Sequence, residues 1–132
     1  MTRGGPIRTV LLVDDDPDIR FIAEMSLGRV GGWEVTSACS GAEALAHLTD
    51  GGRPDVILLD MRMPEMDGVE VMAAIRALPG HEDAAVIFLT GKTRDREQER
   101  CLDLGALGLI EKPFDPMTLP ALVREIAGDT QG

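Results

Sequence analysis

The stretch that most constrains the fold is Val56-Ile57-Leu58-Leu59-Asp60, four consecutive apolar residues ending in a carboxylate. It runs into the loop Met61-Arg62-Met63-Pro64-Glu65-Met66-Asp67-Gly68. A strand with one wet face alternates apolar and polar residues, so an unbroken run suggests a strand covered on both faces, as in a parallel sheet between helices. Asp60 then stands at the carboxyl edge of that sheet, where open α/β folds build their sites.

The rest of the chain supplies partners for this strand. Further strands are expected over residues 7–13, 33–37, 84–89 and 107–110, with the central one over 55–59. Asp16 as N-cap and Pro17 in the first turn open a helix that continues to about Val30. Its inward face by helical spacing is Ile19, Ile22, Ala23, Ser26 and Leu27, which leaves Phe21 and Met25 four residues apart on a second apolar stripe. Ser40 with Glu43, and Asp67 with Glu70, have the spacing of capping boxes and open helices that end near Leu48 and before Pro79-Gly80. A polar helix is expected over residues 93–104. In the last helix Pro120 has no N–H to donate, so that helix either has a distorted first turn from residue 115 or 116, or starts nearer Thr118. Five strands alternating with five helices imply a parallel sheet with right-handed crossovers and helices on both faces.

At 132 residues the chain is the size of one domain, expected over 7–128 with flexible tails at 1–6 and 129–132. Its 23 acidic against 13 basic residues give a net charge of -10, which opposes a nucleic-acid backbone and an anionic membrane surface alike. No apolar run reaches the length of a membrane span. Cys39 and Cys101 lie far apart, without metal-ligand spacing or a signal-peptide pattern, and read as reduced thiols filling apolar space in a cytoplasmic protein.

In a parallel sheet the residues after each strand share one edge: Asp14 and Asp15, Asp60, Thr90 and Lys112. Clustered carboxylates raise one another's pKa unless a cation joins them, and hard oxygen donors suit Mg²⁺. Magnesium keeps waters and takes phosphate oxygens, so the cluster reads as a phosphoryl-transfer site with Asp60 as nucleophile. Lys112 would neutralise charge on the transferring oxygens, and Thr90 could hydrogen-bond one of them.

Val13-Asp14-Asp15-Asp16-Pro17, Leu59-Asp60-Met61-Arg62-Met63-Pro64-Glu65-Met66-Asp67-Gly68, Leu89-Thr90-Gly91 and Lys112-Pro113-Phe114, at four successive strand ends, resemble the receiver domain of two-component response regulators. The resemblance implies a flavodoxin-like, doubly wound α/β fold, a five-stranded parallel sheet of order 2-1-3-4-5 with five helices. It implies that Asp60 accepts a phosphoryl group from the phosphohistidine of a histidine kinase or histidine phosphotransfer protein. Asp15, Asp60 and the Arg62 carbonyl would ligate Mg²⁺ directly, and Asp14 through water. Thr90 would turn toward the phosphoryl group, Lys112 would pair with it, and the bond before Pro113 would be cis. Such a domain catalyses its own phosphorylation and dephosphorylation rather than turnover of a separate substrate, and signals through protein contacts.

Five residues, in three groups, individualise the chain. Many receivers carry a mobile aromatic three residues before the lysine; here that residue is Leu109, with no other ring evident nearby, so output relies less on a ring switch or the protein mainly passes phosphoryl groups onward. Arg62 and Lys92, two residues after Asp60 and Thr90, flank the phosphoryl site and either steer an anionic donor or are solvated charges. Phe21 and Met25 lie where receivers dock a kinase bundle, either as anchors or as ordinary exposed apolar residues. The chain reads as a single-domain receiver, alternatively a relay intermediate or a receiver from a larger regulator or hybrid kinase. An aspartyl-phosphate phosphatase is disfavoured because Arg62 stands where such enzymes carry a second acid. A nucleotide-binding loop is disfavoured by the three aspartates after the first strand.

Overall fold

The five expected strands form one parallel sheet of order β2-β1-β3-β4-β5, with β1 Thr9–Val13, β2 Glu34–Ala38, β3 Val56–Asp60, β4 Val86–Thr90 and β5 Gly108–Glu111. Five helices connect and flank them: α1 Pro17–Met25, α2 Gly41–Thr49, α3 Gly68–Arg76, α4 Asp95–Asp103 and α5 Leu119–Ala127. The computed structural model describes residues 6–91 and 95–128, with side chains described outside residues 92–98. The expected tails at 1–6 and 129–132 therefore lie almost wholly outside the described residues.

The period of two along each strand divides the core into two layers. Leu11, Val13, Ile57, Leu59, Val86 and Phe88 face a cluster closed by Ala44 and Leu48 of α2, by Val71, Met72 and Ile75 of α3, and by Cys101 of α4. Val10, Leu12, Val56, Leu58, Ile87 and Leu89 face the other layer, closed by Ala23 of α1, Leu27, and Leu119 and Val123 of α5. All five β3 residues are buried, as a strand covered on both faces requires. Each buried leucine contributes about 2 kcal/mol of hydrophobic stabilisation, which pins the strand whose end carries Asp60.

The structure corrects several local expectations. β1 begins at Thr9, although Ile7 is still buried. The first helix does not run evenly to Val30: α1 ends at Met25 and passes into a π-helical turn, Ser26–Val30. There the Gly31 N–H donates to the Ser26 carbonyl, five residues back, and the Ser26 hydroxyl donates to the Pro116 carbonyl. The widened turn coincides with close approach of α5, since a Cβ on Gly31 would lie 3.2 Å from the Pro120 Cβ. Ile22, expected to face inward, is 40% exposed because Ala23, Ser26 and Leu27 occupy the buried stripe.

α3 opens with a complete capping box between Asp67 and Glu70. At α2 the Ser40 hydroxyl accepts the Glu43 N–H, but the Glu43 carboxylate reaches back to the Cys39 N–H, one residue beyond the box position. Cys39 is thus exposed, its thiol donating to Glu43, whereas Cys101 is buried as expected of apolar filler. The last helix starts at Leu119 after Thr118, which puts Pro120 at its second position, where no N–H is required. Among the described residues no helix is long and apolar enough to cross a membrane.

Candidate functional site

Strand register assembles the edge. Val13 pairs with Leu59, so Asp14 comes level with Asp60; Asp60 pairs with Leu89 and Thr90 with Glu111, which brings Thr90 and Lys112 up beside it. Asp14, Asp60 and Thr90 are buried, at 0%, 5% and 4% exposure, while Asp15 is exposed. Lys112 Nζ lies 3.2 Å from Asp14 Oδ2 and 3.2 Å from Asp60 Oδ1, bridging the two carboxylates. The backbone fixes these groups further. Asp14 accepts the Asp16 N–H at 2.9 Å, Asp60 accepts the Arg62 N–H at 3.3 Å, and the Lys112 N–H donates to the Thr90 carbonyl at 2.6 Å. The Lys112-Pro113 peptide is cis. The Thr90 hydroxyl donates to the Gly91 carbonyl at 3.2 Å.

Burial, followed by the neighbouring Asp14 charge, pushes the Asp60 carboxyl up to about 6, against the opposing pull of Lys112 and the Arg62 N–H. For Lys112, burial works against the ammonium, but Asp14 and Asp60 outweigh it and its pKa is raised. One ammonium between two buried carboxylates leaves negative charge uncompensated. One oxygen from each of Asp14, Asp15 and Asp60 can be chosen so that all lie within 4.8 Å of one another. Hard oxygen donors, two buried and one open to water, fit a divalent cation that retains part of its hydration shell.

The Asp60 shift has a measurable consequence. Its folded-state pKa lies above the unfolded value, so the folded protein gains from protonation at low pH and loses that gain as pH rises through about 6. In the metal-free protein Asp60→Asn is expected to be more stable than wild type by about 2 kcal/mol at about pH 7.5, with the difference vanishing near about pH 4. Urea unfolding in chelator at both pH values checks this; equal stabilities at the higher pH would contradict it.

The other predicted residues divide. Arg62 is exposed in the loop after β3, and Lys92 lies outside the described residues. Phe21 and Met25 are 63% and 40% exposed and are joined by Ile22, so three apolar side chains stand out from α1. Leu109 is half-buried and packs against the α2–α3 layer. The expectation of no ring near it is corrected: Phe88 is its direct register partner on β4, although that ring is 0% exposed in the core.

Two contributors escaped sequence reasoning. The Arg20 guanidinium donates to the Asp14 carbonyl at 2.7 Å and braces the β1–α1 loop, a contact that exists only because the chain folds back into α1. Gly68 lets α3 begin against the site: a Cβ there would lie 2.7 Å from the Asp60 carbonyl oxygen. The glycine was visible in the sequence, but its crowding is tertiary.

Comparison with known proteins agrees with this geometry. The family model for the response regulator receiver domain matches residues 10–124. The transcriptional regulatory protein PrrA of Mycobacterium tuberculosis is 40% identical over 126 residues, covering 96% of this chain and 52% of the relative, so the chain spans about half the length of that protein. A chemotaxis protein CheY homolog of Campylobacter jejuni is 33% identical over 123 residues, covering 93% of this chain and 95% of the relative. Among solved structures, the chemotaxis protein CheY4 of Vibrio cholerae superposes with a TM-score of 0.83 at 34% identity, covering 91% of this chain and 98% of that one. With four strand-end motifs gathered on one edge and a family model spanning nearly the whole sheet, the chain belongs to the response regulator receiver domain family.

Proposed function

We propose that this receiver takes a phosphoryl group onto Asp60 from the phosphohistidine of a histidine kinase or histidine phosphotransfer protein, and signals through the resulting change in its protein contacts. The observation that carries this reading is the buried Asp60 carboxylate held 3.2 Å from Lys112 beside Asp14 and Asp15. An Asp60 carboxylate oxygen attacks phosphorus, the P–N bond to the donor imidazole breaks, and the departing ring nitrogen keeps the electron pair and takes up a proton. Lys112 pairs with a transferring oxygen, and the Thr90 hydroxyl leaves the Gly91 carbonyl to donate to another. Asp15, Asp60 and the Arg62 carbonyl, with Asp14 behind them, would hold Mg²⁺, which when bound would supply charge neutralisation for the transfer. The positive charges of Arg62 and Lys92, two residues after Asp60 and Thr90 in sequence, influence how long the acyl phosphate lasts. The domain of residues 7–128 acts as a signalling module, either as the output form itself, as a relay intermediate, or as the receiver of a longer regulator.

Incubation with phosphoramidate, a small phosphodonor with the same P–N bond, tests the chemistry. A phosphorylated band that requires Mg²⁺ and is lost in chelator supports the proposal; labelling that persists without divalent cation contradicts it.

Phe21, Ile22 and Met25 form an apolar step on α1, and the Ser26–Pro116 hydrogen bond brings the loop carrying exposed Met117 against the end of that helix. This is the proposed seat of the phosphohistidine-bearing bundle. Phe21→Ala is expected to slow transfer from a phosphohistidine donor about tenfold while leaving transfer from phosphoramidate within about twofold of wild type. Equal slowing with both donors would remove the docking role.

A further inference from the structure

We propose that the buried Met61–Cys101 sulfur contact couples the position of α4 to the phosphorylation state of Asp60, in place of a ring at position 109. The inference rests on the phospho-acceptor reading and adds the route by which the site reaches α4.

Met61 follows Asp60 directly and is tied to the same edge. Its N–H donates to the Leu89 carbonyl at 2.9 Å, and its carbonyl accepts the Gly68 N–H at 2.8 Å. Any shift of the β3–α3 loop toward a phosphoryl group therefore moves Met61 as well. Its side chain is buried, with Sδ 3.9 Å from the Cys101 Sγ of α4. Cys101 is 1% exposed, and among the described α4 side chains it is the one that is buried; Glu99, Arg100, Leu102 and Asp103 face water. Among its described side chains, α4 enters the core through Cys101, a small polarizable residue lying against the neighbour of the phospho-acceptor.

Two further observations single out this contact. Leu109 has no ring to swing, and its partner Phe88 is 0% exposed and closely approached by the backbone: a Cβ on Gly68 would lie 2.8 Å from its Cε1. A cleft of about 200 Å³, lined by Met61, Arg62, Asp67, Val69, Arg100 and Cys101, opens beside the contact. Packed cores switch between discrete arrangements where there is room to move. Phosphorylation at Asp60 therefore loosens or reseats α4 by displacing Met61 against Cys101, and the accessibility of the Cys101 thiol reports it.

The test is pulsed alkylation with N-ethylmaleimide in a Cys39→Ser background, with and without Mg²⁺ and phosphoramidate. Phosphoryl occupancy is read by intact mass in the same samples. Cys101 in the phosphorylated fraction is expected to label at least about fivefold faster than in the unmodified fraction. Met61→Ala is expected to raise labelling of the unmodified protein and collapse the ratio to below about twofold, while the volume-conserving Met61→Leu retains most of it. Urea midpoints of each variant separate a local change at α4 from global loosening. Equal labelling of phosphorylated and unmodified protein overturns the coupling and leaves the acceptor reading intact. A full ratio surviving in Met61→Ala also overturns the coupling. Absence of any phosphoryl adduct overturns the acceptor reading and the coupling with it.

Discussion

Lys112→Ala is expected to slow phosphoryl acceptance from a small donor by about two orders of magnitude, the scale on which loss of one preorganised charge partner acts in a transition state. The ammonium sits 3.2 Å from both Asp14 and Asp60, so its removal leaves two buried carboxylates without the cation that bridges them. The same substitution is expected to destabilise the metal-free protein at neutral pH by about 3 kcal/mol, because breaking a buried ion pair strands the surviving charges. Added Mg²⁺ is expected to restore much of that stability but not the rate. Acceptance kinetics by intact mass and urea unfolding with and without Mg²⁺ measure both effects. A rate within about twofold of wild type would show that Lys112 only fills space at the edge.

Gly68→Ala is expected to lower stability by about 3 kcal/mol and to abolish ordered packing at the start of α3. The added methyl would lie 2.7 Å from the Asp60 carbonyl oxygen, 2.8 Å from Phe88 Cε1 and 2.9 Å from Met61 Cα. Two of those atoms are backbone and the third belongs to a core ring, so no flexible side chain can yield. Phosphoryl acceptance should fall with stability, since the displaced backbone carries Asp60 itself. Gly28→Ala is the control: its Cβ would meet nothing closer than 3.9 Å, and it is expected to be neutral or stabilising within about 1 kcal/mol. Urea midpoints of the two variants decide the matter; equal midpoints would contradict the crowding argument at Gly68.

The sheet was legible because β1, β3 and β4 are nearly unbroken apolar runs, a pattern that only two-sided burial rewards, whereas the edge strand β2 alternates and is half exposed. Once parallel pairing is granted, register brings Asp14, Asp60, Thr90 and Lys112 to one edge, so the composition of the site could be read without coordinates. Features set by distant contacts were not legible. The π-helical turn after Met25 accompanies the approach of α5, and the exposure of Ile22 depends on which stripe of α1 meets the core. Phe88 stands beside Leu109 because of a register that no local pattern encodes. The two cysteines looked alike in sequence, yet Cys101 is sealed against Met61 while Cys39 emerges at the end of β2 beside Glu43. A single buried cysteine among the described side chains of a mostly polar helix carries no periodicity signal.

Intact mass spectrometry of wild type and Asp60→Asn, each incubated with Mg²⁺ and phosphoramidate, tests the central claim most directly. One added phosphoryl group is expected on wild type, acid-stable enough to map to the peptide containing Asp60, and none on Asp60→Asn under the same conditions. An adduct of equal yield on Asp60→Asn, or a wild-type adduct mapping to another peptide, would contradict it.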